Sequence, residues 1–274
     1  RTQVSKLDGT RKFLFRLADG NAIESVFMRY KFGNSICVSS QAGCRMGCRF
    51  CASTIGGLKR NLTPGEIAGQ ILAAQRETGQ RISHVVVMGT GEPFDNYENL
   101  AKFLHIIHDP NGLNLSMRNI TVSTCGLVPM IARFAEDFPQ VNLAISLHAV
   151  SNEMRDEIMP VNKAYPMETL LSACRDYTQK TARRVTFEYT LVKGVNDSAE
   201  YARKLAARLQ GMLCHVNLIP LNKVEETGYD TSERCAVLRF QQVLTECGIP
   251  ATIRRELGDD IDAACGQLRL AENG

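Results

Sequence analysis

Apolar and polar residues along the chain fall into two kinds of run, which alternate from residue 34 onward. Runs at 35–40, 83–88, 120–123, 141–146, 184–192, 215–221 and 251–254 are rich in Val, Ile and Leu and read as strands. Between them the apolar residues recur at helical spacing. Thr63-Pro64-Gly65-Glu66 has the residues of a capped helix start, with Ile67, Ile71 and Leu72 as its apolar face. Further helices are expected over 96–108, near 128–135 and 167–181, after Asp197-Ser198-Ala199-Glu200, and over 232–246.

Strand–helix units in series predict a parallel sheet with right-handed crossovers. A closed eight-unit barrel takes about 250 residues. Six clear units are legible here, so the expected fold class is α/β, a partial, open (β/α)6 barrel. Before it, 11–17 and 22–29 flank Asp19-Gly20-Asn21, a hairpin signal. The expected division is therefore a β-hairpin extension over 1–33 and a barrel over 34–274. No internal repeat or low-complexity linker interrupts the pattern.

Composition narrows the class. Of the 274 residues 44% are hydrophobic, evenly spread, with no run long enough to span a bilayer and no secretory leader. Residue 1 is Arg rather than Met, so a processed or partial chain is expected. A net charge of +3 is compatible with nucleic acid without arguing for it. Ten cysteines in a chain of this size, without an export signal, fit a reducing, cytoplasmic setting, where clustered thiols mean metal or redox chemistry.

Four of the cysteines fall within residues 37–51. Cys44, Cys48 and Cys51 have the spacing C-x-x-x-C-x-x-C, while Cys37 fits no ligand spacing. Thiolates select zinc or iron–sulfur clusters, and structural zinc asks for four ligands where this loop offers three. A cubane held by three thiolates leaves one iron open to a further ligand. Such a loop after the first barrel strand is the signature of the radical S-adenosylmethionine (SAM) superfamily. A zinc knuckle or packed cysteines is the plain alternative.

Other polar or glycine-rich stretches end strands: GTGEP (89–93), STCG (123–126), SLH (146–148) and PLN (220–222). In parallel α/β folds these carboxyl ends form the mouth of the active site. Singly, each has a bland reading. GTGEP is a strand–turn, Ser123, Ser146 and His148 could cap helices, Asn222 could make an Asx turn, and Phe50 could be an ordinary core residue.

SSQAGCRMGCRFCAST, GTGEPFDNY, SLHA, GVND, HVNLIPLN and GDDIDAACGQL (258–268) together resemble the RlmN/Cfr family of radical SAM RNA methyltransferases, and the likeness runs through essentially the whole chain. Members carry a small helical N-terminal domain that this sequence is expected to lack. The resemblance implies a [4Fe-4S] cluster on Cys44, Cys48 and Cys51. It places SAM on Gly91, Glu92, Ser123, Ser146, Leu147, His148 and Asn222, with Phe50 beside the adenine.

It also implies a reaction. One SAM methylates Cys265, and a second yields a 5′-deoxyadenosyl radical that takes a hydrogen from that S-methyl group. The carbon radical adds to carbon 2 of an adenosine in 23S rRNA, and by the same likeness in tRNA. Glu24 then removes the carbon-2 proton, and Cys37 attacks the Cys265 sulfur to leave a disulfide. Without the resemblance Glu24 reads as a solvated strand carboxylate and Cys265 as a small packing residue. A flavodoxin or ferredoxin would supply electrons, the chain would act as a monomer, and no membrane is involved.

Three other readings stay open at this level. These are carbon-8 methylation of the same adenosine by the Cfr branch, a radical activase acting on a protein, and a non-catalytic iron–sulfur or zinc module. Cys174, Cys214, Cys235 and Cys247 are expected to be buried packing residues, and Cys125 has no assigned role. Lys59 and Arg60 could meet RNA phosphate.

Overall fold

The local signals that start and stop helices act as read in the computed structural model, which describes residues 1–222 and 228–263. Thr63 accepts the Glu66 N–H, Glu66 reaches back to the Thr63 backbone, and Gly79 ends α1 (Pro64–Thr78) in the left-handed conformation. Ile67, Ala68, Ile71 and Ala74 are its buried side, while Leu72, expected on that side, is exposed. Ser198 likewise caps α6 (Ala199–Leu209) by accepting the Tyr201 N–H.

The chain divides into two units. The first comprises Arg1–Gly47, Cys51–Ser123 and the described residues from Glu256 on. Its strands are β1 (Thr2–Val4), β2 (Arg11–Arg16), β3 (Ala22–Tyr30), β4 (Gly33–Cys37), the short β5 (Gln41–Ala42) and β6 (Arg60–Asn61), β7 (His84–Val87) and β8 (Ile120–Thr124). β1 to β4 pair antiparallel in chain order. β4, β7 and β8 then pair in parallel, with α1 and α2 (Tyr97–His108) as crossovers. The expected hairpin is thus a three-strand ribbon continuous with the first parallel strand.

One lateral row crosses five strands of this unit. Gln3 opposes Lys12, Lys12 opposes Val26, Val26 opposes Cys37, and Cys37 opposes Val86. Directly opposed residues share a face, so these five lie on one side, with Glu24 two positions from Val26 on the same side.

The second unit is Cys48–Phe50 with Thr124–Arg255. It holds α3 (Val128–Asp137), β9 (Asn142–Ser146), α4 (Asn152–Ile158), α5 (Met167–Thr181), β10 (Val185–Leu191), α6, β11 (Cys214–Pro220), α7 (Arg234–Glu246) and β12 (Ala251–Ile253). β9 through β12 pair in parallel in chain order. One face of β10 presents Phe187, Tyr189 and Leu191, all fully buried, and the Tyr189 ring lies 5.1 Å from that of Phe240 on α7. The other face carries a polar row, Ser146–Glu188–Asn217–Thr252, each residue opposed to the next. Six strand–helix units therefore follow one another as expected, whereas β1, the β5–β6 pair and α4 have no counterpart in the sequence reading.

Candidate active site

Two segments of the first unit run side by side beyond the ends of their strands because glycine permits it. Gly89 donates to the Val38 carbonyl at 3.0 Å, and Ser40 and Gln41 donate to the Thr90 carbonyl at 2.9 and 3.1 Å. A Cβ on Gly89 would fall 2.8 Å from the Ser39 nitrogen, and one on Gly91 would fall 2.8 Å from the Gln41 nitrogen. The GTGEP turn is thus laced to the segment that leads into the cysteine loop. The Glu92 N–H donates to Gln41 Oε1 at 2.8 Å, and its carboxylate accepts the Phe94 N–H at 2.9 Å. Gln41 Nε2 donates to Asp95, whose carboxylate also holds Arg45 of the cysteine loop.

Cys44 is buried in this setting. Burial pushes its thiol up to about 12, opposed by a hydrogen bond from the Met46 backbone and reinforced by the charges of Glu92, Cys51 and Asp95. Among the described residues no three His, Cys, Asp or Glu side chains stand gathered as a metal-holding group. The donor set nonetheless fits a cluster. It offers three thiols on one loop, and a backbone N–H aimed at sulfur is the kind of contact that tunes iron–sulfur centres. Deprotonating Cys44 is the cost that metal–thiolate bonding offsets on loading.

Glu24 and Cys37 lie on one face of the sheet. Glu24 is buried, which corrects the solvated strand carboxylate of its bare reading: β2 on one side and Lys12, 3.4 Å from its Oε1, enclose it. Its backbone carbonyl accepts the Ser39 hydroxyl at 2.6 Å. Cys37 lies in one buried cluster with Val26, Met28, Leu257 and Ala263, the last two from the C-terminal segment. Cys265 itself lies outside the described residues, two positions after Ala263.

In the second unit the SLH stretch is held by its backbone. Leu147 is fully buried, and its N–H and that of His148 donate to the Glu188 carbonyl at 3.1 and 3.4 Å. His148 takes a positive φ of 55°. Its Nδ1 accepts the Thr190 N–H at 2.9 Å, and its carbonyl accepts Asn196 Nδ2 at 2.9 Å. Burial, with the nearby Arg155 charge, pushes the ring down to about 3, so it is neutral with its proton on Nε2. Phe50 packs edge-on against this ring, 4.8 Å between centroids. Ser123 in the first unit and Ser146 and Asn222 in the second are half-buried.

Several residues of these sites escape a reading from sequence. Arg155 on α4 is fully buried and donates to the carbonyls of Cys125 (2.6 Å), Ser146 (3.1 Å) and Leu147 (3.2 Å) and to Asn162 Oδ1 (3.2 Å). Gln70 on α1 is buried and bridges Ser25 and the Ser39 backbone. Glu188 is buried and accepts Asn217 Nδ2 at 2.8 Å, and burial pushes its carboxyl up against the opposing pull of Arg254 and Asn217. Only Glu188 carries a signal in the sequence, as an acidic residue inside an otherwise strand-like run. Two further expectations are corrected. Cys235 and Cys247 are exposed rather than packed, because they fall on the outer side and the end of α7. Arg60 is engaged by Asp19 and Glu66 rather than open to phosphate.

Residues 38–206 match the radical SAM superfamily. The chain is 58% identical over 266 residues to the "Probable dual-specificity RNA methyltransferase RlmN" of Clostridium novyi, covering 97% of this chain and 78% of that protein. The protein of the same name from Geobacillus kaustophilus is 56% identical over 273 residues, 98% of this chain and 74% of that one. A crystal structure of a radical SAM methyltransferase from Sphaerobacter thermophilus superposes with a TM-score of 0.95 at 49% identity, over 99% of this chain and 81% of that chain. The α/β fold is therefore the radical SAM partial barrel, and SAM with an iron–sulfur cluster are the cofactors the superfamily implies. The chain belongs to the RlmN family of RNA methyltransferases within the radical SAM superfamily, and it is a SAM-dependent radical methyltransferase.

Proposed function

We propose that this enzyme methylates carbon 2 of an adenosine in 23S rRNA, and of one in tRNA, through a methylated Cys265 and a transient Cys37–Cys265 disulfide. Carbon 2 of adenine lies between two ring nitrogens, is electron-poor and bears no acidic proton, so it cannot attack a methyl sulfonium. When bound, SAM and a [4Fe-4S] cluster on Cys44, Cys48 and Cys51 supply the methyl group and the one-electron chemistry that activates it. Gly91, Glu92, Ser123, Ser146, Leu147, His148 and Asn222 hold SAM in this reading, with Glu92 on its methionine amino group. A flavodoxin- or ferredoxin-type protein supplies electrons, and the enzyme acts as a monomer.

The chain's own residues then release the product. Glu24 takes the carbon-2 proton of the RNA–Cys265 adduct, whose unpaired electron would pass back to the bound cluster. The Cys37 thiolate attacks the Cys265 sulfur. The sulfur–carbon bond breaks, its electron pair stays with the carbon, and that carbon takes a proton to become the methyl group. The observation that carries this reading is the packing of Cys37 against Ala263, on the sheet face that also bears Glu24.

RNA mass spectrometry after reaction with wild type and Cys37→Ala tests it. The wild type should yield 2-methyladenosine, and the variant a stable protein–RNA adduct on Cys265. A carbon-8 methyl group, or unhindered product release by the variant, overturns it.

A further inference from the structure

The C-terminal segment is tied to the N-terminal strands by polar contacts as well as by the apolar cluster around Cys37. Gly258 donates its N–H to Asp8 Oδ2 at 3.0 Å, and Lys6 donates its backbone N–H to Asp260 Oδ2 at 2.9 Å. Gly258 is in the left-handed conformation, and a Cβ there would fall 2.9 Å from Thr10 Cγ2 and 2.7 Å from Ala263 Cβ. The third tie comes from Lys12, whose Nζ donates to the Asp262 carbonyl at 3.2 Å.

The same ammonium lies 3.4 Å from Glu24 Oε1, with the two side chains only 11% and 8% exposed. A lysine so enclosed is costly unless its charge and its donors are met. Here the acceptors come from two places: the carboxylate on β3, and a backbone carbonyl three residues before Cys265. The lateral row joins Lys12 to Val26 and Cys37, and Glu24 shares that face.

We propose that Lys12 is a positioning residue for product release, holding the Glu24 carboxylate and the Cys265-bearing segment on one ammonium so that both address the same adenosine. The inference rests on the roles proposed above for Glu24, Cys37 and Cys265. Lys12 moves no proton itself; what it supplies is a fixed relation between two groups far apart in sequence. Lysine has the reach and the three donors to serve both at once.

The test follows the two halves of the reaction separately in the full chain, loaded with cofactors and given RNA. In Lys12→Met, release of methylated RNA should fall at least tenfold while methylation of Cys265, read by peptide mass spectrometry, falls less than threefold. The covalent protein–RNA adduct should accumulate. Lys12→Arg, which keeps a charge and several donors, should recover release in part. A second readout needs neither RNA nor cofactor: oxidation of the apoprotein should form the Cys37–Cys265 disulfide several-fold more slowly in Lys12→Met than in wild type. Should Lys12→Met fail to fold, Lys12→Gln takes its place, since it still donates to the Asp262 carbonyl while losing the charge beside Glu24. Release and disulfide formation at wild-type rates in a folded Lys12 variant, with Glu24→Gln still accumulating adduct, overturn the Lys12 proposal alone. Normal turnover by both Glu24→Gln and Cys265→Ala overturns the reading beneath it.

Discussion

Thr190 donates its backbone N–H to Nδ1 of His148 at 2.9 Å, which fixes the ring as an acceptor on that side. Protonation of Nδ1 would turn this hydrogen bond into a clash of two donors in a buried site. The ring's value of about 3 lies below the ordinary 6.5, so the unfolded chain takes up the proton first as pH falls. Stability from this group is complete above pH 6.5 and is lost as pH drops toward 3, by up to ~1.4 kcal/mol per pH unit. Between pH 6.5 and 5, urea unfolding of the apoprotein should show wild type losing about 2 kcal/mol more than His148→Gln. Equal losses would mean that the ring titrates freely.

Arg155 should prove a keystone of the second unit. Replacing it with Met leaves the carbonyls of Cys125, Ser146 and Leu147 without its guanidinium. The expected loss is about 3 kcal/mol or more in urea unfolding. Lysine should recover less than half, since a point ammonium cannot reproduce the planar fork. Wild-type stability in Arg155→Met would contradict the hydrogen-bond assignment.

Gly91→Ala puts a methyl group 2.6 Å from Gln41 Cβ at a φ of +109°. Steric and backbone strain together should cost about 2–4 kcal/mol and abolish SAM-dependent methylation. Gly79→Ala, at a positive φ but in open space, is the control and should cost about 1 kcal/mol with activity retained. Similar costs for both would remove the close approach as the reason for Gly91.

The cysteines should sort by reactivity in the apoprotein. Cys235 and Cys247 are exposed, whereas burial pushes Cys174 up to about 12 and Cys214 up to about 11. A short iodoacetamide pulse at pH 8, read by peptide mass spectrometry, should mark Cys235 and Cys247 first and Cys174 last. Cys44, also up at about 12, should carry about a thousandfold less thiolate than an ordinary thiol and label slowly despite its loop position. Rapid labelling of Cys44 would show that its burial is lost in solution.

What the sequence discloses depends on whether the cause of a feature is local. The capping box at Thr63 and Glu66 and the Val-rich run of β7 are local, so their elements are legible. The C-x-x-x-C-x-x-C loop is legible for the same reason: its chemistry is written in its spacing. Glu24 carries no local sign of its burial, because the strands and the Lys12 ammonium that enclose it arrive by pairing. Arg155 lies in a seven-residue helix too short to announce itself, and its acceptors are up to 30 positions away. The Asp262–Lys12 contact spans 250 positions, beyond any pattern read along the chain. Leu72, Cys235 and Cys247 show the converse, residues whose type suggests a core while the turn of the helix leaves them outside.

The stitch between residues 8 and 258 has a consequence in time. A ribosome adding about 5–20 residues per second needs roughly 12–50 s to pass from one partner to the other. The strands bearing Glu24 and Cys37 can pair early, yet their reaction face stays uncovered until residues 257–263 have been made. A nascent or prematurely terminated chain would thus bear the proposed base and resolving thiol without the cysteine that carries the methyl group.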